Sequence, residues 1–155
     1  MAPSQFHITE ESWGNHYRVA TTNSGGSTQH FFVENWPFDP HRPDLAIHAG
    51  PDPSSPVLAL SKFRRFSADC EVAVLADAGA EPEWMRLAKE GLMSPRYGFD
   101  GDGGQFVWKK TRSMGSHATP LGNMKLVEAR NLDVRAVFSS NSYTLVTGSL
   151  EMYGE

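Results

Sequence analysis

Gln105-Phe-Val-Trp-Lys-Lys-Thr111 reads as a β-strand. Side chains alternate across a strand, so Phe106, Trp108 and Lys110 share one face while Val107, Lys109 and Thr111 share the other. The same two-residue period recurs on either side. Phe6 and Ile8 flank His7; Val134, Ala136 and Phe138 flank Arg135 and Val137; Tyr143 and Leu145 flank Thr144. Candidate strands are 6–8, 17–21, 29–34, 45–48, 56–63, 70–75, 97–99, 105–111, 124–129, 134–139 and 143–150. Between them stand turn formers: Asn23-Ser-Gly-Gly26, Trp36-Pro-Phe-Asp-Pro40, Gly50-Pro-Asp-Pro53 and Asp100-Gly-Asp-Gly-Gly104. The last of these superficially matches a calcium loop, but its twelfth position is Thr111, which has no carboxylate to give, so it is a hairpin turn. Many short strands with turns at this spacing indicate an antiparallel sandwich or barrel.

One segment reads as a short helix, Pro82 to Gly91. Proline suits a first helical position and glycine the residue after the last turn. Trp84, Leu87, Ala88 and Gly91 fall on one stripe at helical spacing, with Arg86 and Glu90 placed to pair at i,i+4. Trp84 is thus expected to anchor in the core.

The 155 residues suffice for one domain spanning 1–155, burying roughly two thirds of the unfolded surface. A net charge of −4 argues against a nucleic-acid partner, because such proteins carry a basic field. The single cysteine, Cys70, allows no internal disulfide and suits a reducing compartment; its apolar neighbours imply an inert thiol. The N-terminus lacks the basic and apolar regions of a signal peptide, and no window is apolar for long enough to span a bilayer as a helix. A cytoplasmic location is expected. No nucleophile elbow, P-loop, dinucleotide fingerprint or zinc-protease motif occurs, and the six histidines show no ligand spacing. The chain is accordingly expected to be no enzyme and to carry no catalytic residue, metal or cofactor.

Cations cluster twice against this acidic background. In Val57-Leu-Ala-Leu-Ser-Lys-Phe-Arg-Arg-Phe66 an extended backbone puts Lys62 and Arg64 on one face and Arg65 on the other. Two cations at that spacing can grip one phosphate, although strand ends also carry charges simply to protect sheet edges. The second group is Lys109, Lys110 and Arg112, interleaved with Phe106 and Trp108 in a pattern suited to anionic lipid headgroups or to an ordinary sheet edge.

The succession His48-Ala-Gly-Pro-Asp52, Val57-Leu-Ala-Leu-Ser-Lys-Phe63, a Trp-bearing helix and Phe106-Val-Trp-Lys-Lys-Thr-Arg112 resembles the fungal branch of the tubby C-terminal-like superfamily. Lys125-Leu-Val127 and Gly148-Ser-Leu-Glu-Met-Tyr153 extend the likeness, which runs from about Phe31 to Glu155. The superfamily includes LURP-one-related proteins and phospholipid scramblases. The resemblance implies a closed antiparallel β-barrel of about 10–12 strands. In tubby proteins a Lys-x-Arg pair on a strand holds a phosphoinositide headgroup, and Lys62-Phe-Arg64 matches it in type and spacing. Family barrels are filled by an apolar C-terminal helix; the sequence stops at Tyr153-Gly-Glu155, about where that helix would begin, so the expectation is a C-terminally truncated chain, a collapsed or open barrel, or a channel holding a partner's helix or an apolar ligand.

The expected function is a non-catalytic binding module, peripheral to an anionic membrane, with Lys62 and Arg64 as headgroup ligands and Arg65, Lys109, Lys110 and Arg112 adding attraction. Two alternatives are a protein-interaction or structural barrel whose surface or channel accepts a partner chain or a second copy, and a carrier of an apolar small molecule.

Overall fold

A computed structural model describes residues 3–11, 15–77, 79–91, 96–111, 123–140 and 147–154. Within them the chain forms twelve strands: β1 Ser4–Glu10, β2 Tyr17–Thr22, β3 Thr28–Asn35, β4 Leu45–His48, β5 Val57–Phe63, β6 Cys70–Val74, β7 Met85–Glu90, β8 Arg96–Gly101, β9 Gly104–Lys110, β10 Met124–Glu128, β11 Val134–Ser140 and β12 Gly148–Met152. Each pairs antiparallel with its neighbour in the chain, and β1 pairs with β12 to close a barrel. The seam aligns Phe6 with Leu150 and Ile8 with Gly148. Arg112 and the segment around Tyr143–Leu145 lie outside the described residues.

The alternation read from the sequence becomes the inside and outside of this wall. Phe63, Cys70, Leu87, Tyr97, Trp108, Met124, Phe138 and Leu150 come one each from β5 to β12 and border one cavity. Eight successive strands can direct side chains to a common space only on the concave side, so this face is the lumen. The opposite face carries Arg18, Glu34, Lys62, Glu71, Arg86, Lys109, Lys125 and Glu151, aligned by the same registers.

An eight-stranded barrel is just wide enough for its own side chains to fill, and width grows with strand number. Twelve strands exceed that limit. Phe63 and Met152 on the lumen face remain 40% and 45% exposed, whereas Val137 on the outer face is fully buried. Among the described residues no helix crosses or fills the lumen, and none is long and apolar enough to span a membrane.

The segment 82–91 corrects the expectation of a helix. Residues 81–84 are irregular, and Met85–Glu90 is strand β7, registered with β6 at Cys70↔Leu87 and with β8 at Ala88↔Gly98. Met85, Leu87 and Lys89 alternate with Arg86, Ala88 and Glu90, so the stretch fits period 2 as well as period 3.6. A gap between two strands of a closing wall decides in favour of the strand, since unpaired edges on β6 and β8 would leave two ladders unmade. The expected Arg86–Glu90 pair is replaced by Arg86 with Asp69 and Glu90 with Arg96. Trp84 is only partly buried and packs beneath the Lys62 ammonium, 4.8 Å from its ring centre, on the outer wall rather than in the core.

The hairpin reading of Asp100–Gly104 holds: Asp102 and Gly103 form the two-residue turn between β8 and β9, and Gly103 takes φ 92° where a side chain would be strained. Gly148 serves the seam differently. A Cβ there would sit 2.1 Å from the Ser139 carbonyl oxygen, a backbone atom with no freedom to retreat. Gly148→Ala is expected to destabilise the fold by about 1–3 kcal/mol, read as a lowered midpoint in thermal denaturation; an unchanged midpoint would show that the seam tolerates a side chain.

Candidate ligand cavity and cationic surfaces

The lumen cavity measures about 460 Å³, within the roughly 300–1,000 Å³ of small-molecule sites. Its wall is almost wholly apolar, with Trp108, Tyr97, Phe63 and Phe138 supplying aromatic surface and Leu87, Leu150 and Met124 aliphatic surface. Ala68 places the cavity at one end of the barrel, because it belongs to the turn between β5 and β6. Cys70 completes the wall. Burial pushes its thiol pKa up, and the nearby Asp69 charge adds to this, so the thiol stays protonated and a poor nucleophile at neutral pH. The inert cysteine expected from sequence is thus a part of the cavity lining.

Two carboxylates hold that end of the barrel in shape. Asp44 is buried, and accepts the Phe63 amide at 2.7 Å and the Phe38 amide, tying the long β3–β4 connection to the end of β5. Asp69 accepts the Lys89 amide at 2.8 Å and the Arg86 guanidinium at 3.0 Å, tying the β5–β6 turn to β7. The Arg86 hydrogen bond, with that amide, holds the Asp69 pKa below the usual carboxylate value.

Of the six cations expected to bind an anionic headgroup, the five among the described residues are dispersed. Lys62 lies on the outer face of β5, directly opposite Glu71 on β6. Arg64 falls one residue beyond the strand, in the turn, and its guanidinium is ion-paired with the same Glu71, which raises its pKa. The strand geometry anticipated for the pair therefore stops at Phe63, and an arriving phosphate has to compete with Glu71 for Arg64. Arg65 donates to the Phe38 carbonyl at 3.1 Å. Lys109 and Lys110 occupy opposite faces of β9: Lys109 the outer wall, Lys110 the lumen side opposite Met124. Arg112 is outside the described residues.

The registers also bring together cations that lie far apart in the sequence. Lys125 on β10 is directly opposite Lys109, and Arg96 on β8 flanks Lys109 from the other side. Arg96 has Glu90 at 3.6 Å, while Lys109 and Lys125 have no ion pair among the described residues. Like charges directly opposite each other destabilise a sheet, so this row is an electrostatic expense unless an anion neutralises it. Nothing local marks Lys125 or Arg96; only the strand order exposes the row.

A third cluster, on the outer wall, is structural. His48 is buried with Nδ1 2.8 Å from the Ser55 carbonyl and Nε2 3.2 Å from Glu34, and its ring packs on Phe32, which meets His16 and through it Trp36. Among the described residues no group of three or more His, Cys, Asp and Glu could hold a metal ion. Comparison of the chain with family models, curated proteins and solved structures found no match.

Because the folded pKa of Asp69 is depressed, its contribution to stability is present above the ordinary aspartate pKa of about 3.9 and is lost as pH falls through the lower folded value. Asp69→Asn is therefore expected to lower the melting temperature at pH 7 and to converge with the parent in acid. A difference that persists unchanged at low pH would mean that the amide disrupts the turn for another reason.

Proposed function

We propose that this protein is a non-catalytic binding barrel that takes an apolar ligand into its lumen. The observation that carries the reading is the cavity itself: a wall drawn from eight strands, aromatic and aliphatic, whose side chains keep substantial exposure on the concave side. Apolar groups left in contact with water in this way gain about 25 cal/mol for every Å² that a ligand covers. A neutral fluorescent probe, N-phenyl-1-naphthylamine, is expected to bind with enhanced emission and to slow maleimide modification of Cys70. Ala68→Trp, a change at an exposed turn residue bordering the cavity, is expected to abolish both effects. Probe binding that survives Ala68→Trp with Cys70 still fully reactive would place the apolar site elsewhere and overturn the reading.

The Lys109–Lys125 pair favours a second role, electrostatic attachment to an anionic membrane. Each cation near such a surface contributes about 1 kcal/mol, and the Lys62–Arg64 pair contributes less because Glu71 already engages Arg64 and the Lys62 ammonium lies over Trp84. Vesicles containing phosphatidylserine are expected to retain the protein at low salt, with Lys109→Ala/Lys125→Ala reducing retention more than Lys62→Ala/Arg64→Ala. The reverse order would make the Lys-x-Arg pair the headgroup site.

A further inference from the structure

We propose that the lumen ligand is a single-chain anionic amphiphile whose head is held by Lys89 and Lys110 at the mouth of the barrel. The inference rests on the lumen reading above and adds the chemistry of the ligand's head. On β7 the inward positions run Met85, Leu87, Lys89, and on β9 they run Phe106, Trp108, Lys110. The two strands point the same way, being separated by one antiparallel strand, so both series change from apolar to cationic at the same end. It is the end bordered by Ala68. The registers fix the height of each lysine: Lys89 is directly opposite Tyr97, and Lys110 directly opposite Met124. Tyr97 and Met124 both line the cavity. Each lysine therefore springs from the lumen side at the level of the cavity wall, and both are exposed.

Neither ammonium has an ion pair among the described residues, although six arginines, Arg18, Arg42, Arg64, Arg86, Arg96 and Arg135, each hold a carboxylate. Asp69, in the adjoining β5–β6 turn, takes the backbone amide of Lys89 and is neutralised by Arg86. Glu90 faces outward toward Arg96. Glu10, which shares the lumen parity at this end, stands on β1, six strands round the barrel from Lys89 and four from Lys110. Two unneutralised ammonium groups above an apolar slot match a molecule with a carboxylate or phosphate monoester at one end and a hydrocarbon chain at the other. Lysine supplies a mobile point charge with three donors, which suits a head of either kind. A cavity in the size range of one small ligand favours a single chain over a diacyl lipid.

The test compares dodecanoate, dodecyl phosphate and dodecanol, all below their aggregation limits, by displacement of N-phenyl-1-naphthylamine. The parent protein is expected to bind both anions at least about tenfold more tightly than the alcohol, with the preference shrinking as salt rises. Lys89→Met/Lys110→Met keeps the apolar stems and is expected to bind all three equally, with dodecanol affinity unchanged, which also reports that the variant is folded. Lys89→Glu/Lys110→Glu is expected to reverse the preference toward dodecyltrimethylammonium. Equal binding of anion and alcohol by the parent, or a preference retained by both double variants, would overturn the assignment of the head while leaving the lumen reading intact. Failure of every probe, dodecanol included, would instead overturn the lumen reading. Tighter binding of the carboxylate or of the phosphate identifies which head the lysines select.

Discussion

The structure depends on one backbone pairing, the ladder between β1 and β12. Every other pairing joins neighbours in the chain, and without this one the sheet would be an open meander with two unmade edges. Closure forces the wall into a ring and thereby gives it a concave and a convex side. From that point the two-residue period has a fixed meaning: even positions on β6 and on β9 to β12, and odd positions on β5, β7 and β8, face the lumen. Strand number then sets the width, and the width sets the cavity. The exposure of Phe63 is a result of ring size as much as of residue choice.

Charges are distributed in keeping with that geometry. Glu71, Asp69 and Glu128 each neutralise an arginine, and each does so between segments adjacent in the ring. Exposed pairs of this kind add little stability individually, but they remove most arginines from the pool available to an outside anion. The lysines are left. Lys109 and Lys125 stand together on the outside, Lys89 and Lys110 on the inside near one rim. Six arginines are thus engaged by carboxylates of the wall, whereas Lys89, Lys109, Lys110 and Lys125 have no ion pair among the described residues.

Much of the wall could be read from sequence because alternation is a local property. Phe106 to Lys110 and Val134 to Phe138 carry it, and Asp102-Gly103 is a turn pair whose glycine takes the positive φ that a side chain resists. Met85–Glu90 was ambiguous for a physical reason: its residues satisfy both periods, and only the need to bridge β6 and β8 selects one. Lys62 and Arg64 illustrate the opposite case. They stand two residues apart in sequence, but the ladder ends at Phe63, Arg64 is taken by Glu71 and Lys62 lies over Trp84. The cavity and the lysine rows depend on cross-strand register, a quantity no single segment contains.

The seam has a consequence for the order of assembly. Eleven pairings require only the closure of short connections, whereas β1 must find β12 across almost the whole chain, and that search carries the largest entropy cost in the fold. The ring therefore has the kinetic character of a clasp: a ribbon of twelve strands forms first, and its two borders meet last. Until they meet, the apolar side of the ribbon lies open along its full length, accessible to a guest too long to thread through a finished rim.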